Sequence, residues 1–97
     1  MARPPIHPGE ILADEITELG MTASDLARVL HVPKNRITEI IKGRRGITAD
    51  TALRLGQYFG TGAEFWLNLQ KNYELRLAEQ TSGKTIKETI RPRILVS

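Results

Sequence analysis

The sequence predicts an all-α domain of five helices followed by a short C-terminal tail. Through most of the chain, apolar residues recur at intervals of three or four, which is the spacing of one buried helix face. Glycines interrupt this pattern, and Gly20, Gly43 and Gly60 stand where helices are expected to end. The 97 residues are 40% hydrophobic and 26% charged. A chain of this length and composition suits one small packed domain and is too short for two.

Residues typical of helix starts delimit the first two helices. The first is predicted over residues 8–19, because Pro8 suits the first turn of a helix. Its apolar stripe consists of Leu12, Ile16 and Leu19. Thr22 and Asp25 have the spacing of a capping box and predict a second helix over residues 23–30. The side chains expected inside are Leu26, Ala27 and Leu30.

Similar signals place the third and fourth helices. Pro33 suits the start of a helix that runs to Lys42 and ends before Gly43. Its inward residues are expected to be Ile37, Ile40 and Ile41. Thr48 is the predicted cap of a fourth helix over residues 49–59. The apolar face of that helix comprises Ala52, Leu55, Gly56 and Phe59.

The fifth helix is predicted to be the longest, from Ala63 to about Gln80, with Gly83 as its stop. Its main apolar stripe consists of Trp66, Leu69, Tyr73 and Leu77. All five aromatic residues fall between positions 58 and 73, without a run of interleaved Lys or Arg. We therefore interpret them as core residues rather than as a platform for single-stranded bases.

The tail is expected to begin after the fifth helix. We predict one domain over residues 1–83 and a tail over residues 84–97, in which Pro92 rules out a long helix. The tail either joins a dimer interface or stays loosely ordered. A single thin domain would leave a few surplus apolar residues exposed, and a homodimer would cover them. This predicted dimer interface consists of Leu67, Leu75, Leu95 and Val96.

Composition weighs against several classes of protein. The chain has no cysteine, which excludes disulfides, thiol nucleophiles and Cys-ligated metal centres. The two histidines, His7 and His31, have no evident third partner for a metal site, and no catalytic set or phosphate loop is recognisable. No apolar run approaches the roughly 20 residues of a membrane span, and no secretory signal is apparent at the start. We expect a cytoplasmic protein that is not an enzyme and needs no cofactor.

Basic residues are concentrated in one central segment. The net charge is +3, yet residues 33–46 carry five basic groups and one acidic group. Residues 84–97 are also basic, whereas residues 1–32 carry five acidic groups and two basic ones. A local basic block on a nearly neutral body is typical of a protein that touches phosphates at one place.

The segment from Thr22 to Ile47 fits a helix-turn-helix unit: two short helices, a tight turn and a basic loop. Ala27 is small where the two helices must approach each other closely. The face of the second helix opposite its isoleucines carries long or polar side chains that suit base edges and phosphates. These residues are Lys34, Asn35, Arg36, Thr38, Glu39 and Lys42.

About two-thirds of the chain resembles a known family. The segments that carry the resemblance are HPGEIL, LARVLHVPKNRI, GRRGITADTALRL and FGTGAEFWLNLQ, between residues 7 and 70. Together they resemble the XRE/Cro-repressor type of helix-turn-helix domain and, more narrowly, the HigA (VapI-type) antitoxins. The resemblance implies a lambda-repressor-like fold and a small dimer that binds operator DNA upstream of its own operon. It also implies that the chain silences a RelE-like endoribonuclease toxin, HigB.

Chemistry suggests how the second helix would read bases. Arg36 suits a bidentate contact with guanine, and Asn35 suits one with adenine. Glu39 either accepts from a cytosine amine or orients Arg36 or Lys42 as an ion pair. The family pattern places Lys34, Asn35, Arg36 and Glu39 on the base-reading face, to which Thr38 is added here.

Phosphate contacts are expected around this face. The candidates past the end of the second helix are Lys42, Arg44 and Arg45. The family pattern adds Thr22, at the start of the preceding helix, near the DNA backbone. Ala23 departs from phage repressors, which often have glutamine there, so it receives no base contact.

Acidic residues on the first helix allow two interpretations. Asp14, Glu15 and Glu18 form either a solvated face or a docking surface for a basic toxin. Two alternatives to an autoregulating antitoxin stay open from the sequence. One is a stand-alone XRE-type regulator without a toxin partner, and the other is a protein-interaction module that does not bind DNA.

Overall fold

A computed structural model describes residues 4–94 of the chain. This part of the chain forms five α-helices and no strand. The helices are α1 (Pro8–Glu18), α2 (Ala23–Leu30), α3 (Lys34–Ile41), α4 (Ala49–Phe59) and α5 (Ala63–Thr89). The predicted fold class is confirmed, and α1 to α4 begin and end within about a residue of the predicted positions.

Side-chain caps mark the starts of α1, α2 and α4. Thr22 Oγ1 accepts from the backbone N–H of Asp25 at 3.1 Å, and Asp25 Oδ2 accepts from the N–H of Thr22 at 2.9 Å. At the start of α4, Thr48 Oγ1 accepts from the backbone N–H of Thr51 at 3.5 Å. His7 was not expected to cap α1, yet its Nδ1 accepts from the N–H of Gly9 at 2.9 Å. Each such cap satisfies an N–H that the helix itself leaves unpaired.

All five helices contribute to one core. The largest side chains that are almost fully buried are Leu12, Leu26, Ile37, Ile40, Leu55 and Trp66. Each of them contributes about 1.5–3 kcal/mol by leaving water. The aromatic residues are core only in part, because Trp66 is 1% exposed whereas Tyr58 and Phe65 are each 44% exposed.

Close backbone contact joins α1 to α3. A Cβ atom at Gly9 would collide with the carbonyl group of Ile40, so only glycine allows this approach. The start of α1 is therefore seated against the last turn of α3. Because α1 packs on the Ile40 side of α3, it does not cover the opposite side of that helix.

The prediction that α5 ends near Gln80, with Gly83 as its stop, is wrong. The helix continues through Gly83 to Thr89. One glycine in a helix interior costs only about 1 kcal/mol, which does not break a long helix. Proline disfavours helical backbone at the residue before it, so Pro92 limits the helix instead.

The long fifth helix extends beyond the core. Its 27 residues correspond to a length of about 40 Å, and residues 74–82 are all exposed. The predicted division into residues 1–83 and a tail over 84–97 stays a prediction, although residues 84–89 belong to the helix. Leu95 and Val96 lie outside the described residues. Among those that are described, no helix is long and apolar enough to cross a membrane.

Candidate nucleic-acid interface

Helices α2 and α3 are joined by a three-residue turn. His31 ends α2 in the left-handed conformation, with φ 57° and ψ 47°. The N–H of Val32 then donates to the carbonyl of Ala27 at 3.0 Å and closes the turn. Since the apolar faces of both helices are buried, the polar face of α3 points away from the core.

This polar face contains all five predicted base-reading residues. Lys34 and Asn35 are exposed, whereas Arg36, Thr38 and Glu39 are partly buried. The Thr38 hydroxyl donates to the carbonyl of Asn35 at 3.2 Å, which fixes its orientation along the helix. All five residues therefore lie on one helix of eight residues, whose Ile37 and Ile40 are buried.

Arg36 is held by a residue that sequence reasoning did not assign to the site. Its Nη1 donates to Asp50 Oδ2 at 3.0 Å, and Arg54 Nε donates to the same oxygen at 3.0 Å. Arg54 also uses Nη1 to donate to the carbonyl of Leu30, the last residue of α2, at 2.9 Å. Asp50 and Arg54 together thus connect α3 and α4 to the end of α2.

The charge on Asp50 is stabilised by its neighbours. The hydrogen bond from Arg54 is the largest cause that holds the pKa of the Asp50 carboxyl below its usual value, and the positive charge of Arg36 adds to it. The Asp50 carboxylate is therefore ionised at neutral pH, although it lies beside a face suited to phosphates.

A hydrogen-bonded turn and an ion pair organise the basic loop after α3. The N–H groups of Arg44 and Arg45 both donate to the carbonyl of Glu39, at 2.9 and 3.2 Å. Glu39 Oε2 lies 3.5 Å from Arg44 Nη1. The ion pair of Glu39 is thus with Arg44, and not with Arg36 or Lys42 as the sequence suggested. Arg44 lies beyond the end of α3, five residues after Glu39, so the i, i+3 and i, i+4 spacing of a helix does not predict this ion pair.

Helix α5 supports the same loop from the other side. Gln70 Oε1 accepts from the backbone N–H of Ile47 at 2.8 Å. Gly46 packs so closely on the Gln70 amide that a Cβ there would lie 2.7 Å from its Nε2. Gln70 was not identified from the sequence as a residue that supports the loop. The one available indication was a polar residue next to the apolar stripe of α5.

The predicted phosphate-contacting residues flank the polar face of α3. Lys42, Arg44 and Arg45 are exposed in the loop. Thr22 is exposed at the start of α2, where its hydroxyl already caps the helix. Within residues 4–94, no group of three His, Asp or Glu side chains is placed to hold a metal ion.

The residues predicted to bind protein partners lie elsewhere on the surface. Asp14, Glu15 and Glu18 are all exposed on α1. Of the predicted dimer residues, Leu67 is half-buried against the core, whereas Leu75 is 57% exposed.

Comparisons with known proteins agree with this architecture. A helix-turn-helix family model matches residues 12–66. The "Virulence-associated protein I" of Dichelobacter nodosus is 56% identical over 79% of this chain and 72% of its own length. A HigA-family addiction module antidote protein from Coxiella burnetii has a TM-score of 0.92 at 53% identity, over 94% of this chain and all of that one. The Pseudomonas aeruginosa antitoxin HigA, solved with the higBA promoter, has a TM-score of 0.89 at 47% identity, over 93% and 99% of the two chains.

Proposed function

We propose that this chain, which belongs to the XRE-type helix-turn-helix family and within it to the HigA (VapI-type) antitoxins, represses its own operon and neutralises a toxin. The observation that carries the DNA-binding part is the polar face of α3 beside a basic loop that is tied to the core. The related Pseudomonas aeruginosa protein was solved with the higBA promoter, which supports a promoter as the target here.

In this proposal, α3 enters the major groove of operator DNA. Lys34, Asn35, Arg36, Thr38 and Glu39 would face the base edges. Thr22, Lys42, Arg44 and Arg45 would contact phosphates on either side of the groove. A good bidentate base contact contributes about 1–3 kcal/mol of discrimination.

A promoter reporter tests repression. The sequence directly upstream of the chain's own gene drives the reporter, and the chain is expressed in trans. We expect repression by the native chain and its loss with Asn35→Ala/Arg36→Ala. Glu64→Ala is a control, because Glu64 is an exposed residue in the first turn of α5, outside the surfaces proposed for DNA, toxin and a second copy of the chain. Reporter expression that is the same with and without the native chain would refute autorepression.

The second part of the proposal is docking of a RelE-like endoribonuclease toxin on α1. Enzymes that bind RNA are generally basic, so the exposed acidic residues of α1 offer a complementary surface. Asp14, Glu15 and Glu18 are separate from the polar face of α3. Toxin and DNA would therefore bind different faces of the protein.

Co-expression with a neighbouring RelE-like toxin tests this second part. The native chain should restore growth and co-purify with the toxin. Asp14→Lys/Glu18→Lys should lose toxin capture and keep promoter repression. Undiminished capture would remove α1 from the toxin interface. Absence of any toxin binding by the native chain would favour the stand-alone regulator.

We further propose a homodimer through the part of α5 that extends beyond the core. Leu67 and Leu75 would contribute from the helix, and Leu95 and Val96 from the tail. Such a dimer would set two recognition helices about 34 Å apart on one face of the DNA. Leu75→Glu should give monomers in sedimentation velocity and weaken operator binding, and an unchanged dimer would contradict this interface.

A further inference from the structure

Asp50 stands in an unexpected place for a carboxylate. It lies in the first turn of α4, adjacent to Arg36 on the helix proposed to read bases, and its side chain is 58% exposed. A negative charge there repels phosphates unless cations neutralise it. Favourable interaction with the N-terminus of α4 explains an acid in this turn. It does not explain why one oxygen, Oδ2, binds two arginines.

The Asp50 contact constrains Arg36. A free arginine side chain on a surface samples many rotamers and must lose that freedom when it binds a base. Here, Nη1 is fixed 3.0 Å from Asp50 Oδ2, and the side chain is 30% exposed. A guanidinium has five N–H donors, so most remain available for a ligand while the plane of the group is held.

Arg54 fixes the carboxylate in turn. Its Nε binds Asp50, and its Nη1 binds the carbonyls of Leu30 at 2.9 Å and His31 at 3.4 Å. Those carbonyls belong to the end of α2 and the turn before α3. The Asp50 carboxylate is thereby anchored to the backbone of the helix-turn-helix unit. The Nε and Nη1 donors of Arg54 are used for contacts within the protein.

We propose that Asp50 is the positioning residue that sets sequence specificity, by holding Arg36 ready for a base edge and by opposing contacts with phosphate alone. This inference rests on the proposed function, because it assigns a role within the same DNA interface. It differs from a purely structural role, which would lower binding to every DNA sequence in parallel. If Asp50 had no role in DNA binding, its replacement would change neither affinity.

The test compares Asp50→Asn with the native chain on two duplexes. One spans the sequence directly upstream of the chain's own gene, and the other is its shuffled version. The variant keeps the size and hydrogen-bond acceptor of the side chain but removes its charge. We expect tighter binding to the shuffled duplex and a salt slope steeper by up to about 0.9, as Arg36 turns to a phosphate. The ratio of the two affinities should fall by about tenfold.

Two further variants make the result specific. Glu64→Gln removes one charge from an exposed carboxylate that stands in the first turn of α5, as Asp50 does in α4, and should leave the ratio unchanged. Arg54→Lys keeps the charge but cannot bind Asp50 and the α2 carbonyls together. It should reduce the affinity ratio in the same direction as Asp50→Asn.

The outcomes separate this inference from the proposed function. If the native chain itself fails to prefer the upstream duplex, the proposed function fails. If the native chain discriminates and Asp50→Asn keeps the same ratio, the inference is overturned. A parallel loss on both duplexes with a lower thermal midpoint would also overturn it, because it would assign Asp50 a structural role.

Discussion

The side-chain oxygen of Gln70, in the first third of α5, accepts a hydrogen bond from the backbone N–H of Ile47 at 2.8 Å. This contact joins residues 23 positions apart and connects the longest helix to the loop that follows α3. Ile47 is itself buried, and Gly46 packs on the same amide. The C-terminal end of the basic loop is therefore anchored to the core.

Replacing Gln70 should loosen this loop. In Gln70→Met, the side chain keeps a similar volume, but the N–H of Ile47 loses its partner. An unpaired, partly buried donor costs about 1–3 kcal/mol, which should appear as a lower urea midpoint. Affinity for upstream and shuffled duplexes should fall alike, because the loop is proposed to contact phosphates. Gln57→Met, at an exposed site on α4, is the control. Equal midpoints for the two variants would disprove the role of Gln70.

Arg45 is expected to act through its charge alone. It is exposed, and its backbone N–H is fixed by the carbonyl of Glu39 at 3.2 Å. Arg45→Ala should weaken upstream and shuffled duplexes by the same factor and reduce the salt slope by about 1. A titration series in salt measures both quantities. A slope equal to that of the native chain would exclude a phosphate contact by Arg45.

Stability should depend on pH through His7. Partial burial lowers the pKa of the His7 imidazole from its ordinary 6.5, and Glu10 opposes this only in part. Neutral Nδ1 accepts from the Gly9 N–H, and a protonated ring has no lone pair for it. The unfolded chain therefore binds the proton more readily. The stability that depends on neutral His7 is full above about pH 6.5 and is lost as the pH falls through the lower folded pKa.

Urea denaturation between about pH 7.5 and pH 5 checks this dependence. His7→Asn keeps an acceptor suited to an N-cap but does not titrate. Its stability should therefore change less with pH than that of the native chain. A native chain whose midpoint is flat over this interval would contradict the assignment.

His31 stores backbone strain in the turn between α2 and α3. It is the one residue other than glycine with a positive φ in residues 4–94, and its side chain is exposed. His31→Gly should relieve this strain and raise the free energy of unfolding by about 0.5–1 kcal/mol, after the entropy cost of glycine. Thermal melting should then shift upward by about 3 °C. His31→Ala keeps the Cβ atom and should show no such gain. Stabilisation by alanine to the same extent would refute strain as the cause.

The sequence was informative where structure depends on local chemistry. Thr22 with Asp25, and Thr48, cap helices as their types and spacing predict. The end of α5 was predicted wrongly, because a single glycine, Gly83, does not end a long helix. His7 was overlooked because histidine is not among the residues usually found at an N-cap.

The organisation of the candidate site depends on distant contacts that local patterns do not contain. Arg36 and Asp50 are 14 positions apart, and Arg54 and Leu30 are 24 apart. Nothing in their spacing predicts a contact, because each arises only after α2, α3 and α4 pack together. The polar face of α3 was predictable, but the residues that hold it in place were not.

The most direct test of the account is a fluorescence-anisotropy titration of the purified chain at two salt concentrations. One duplex comes from directly upstream of its own gene, and the other is the same sequence shuffled. A specific autorepressor should prefer the native duplex by about 10³-fold or more. Equal and strongly salt-dependent binding to both duplexes would reduce the interaction to phosphate attraction and contradict sequence-specific repression.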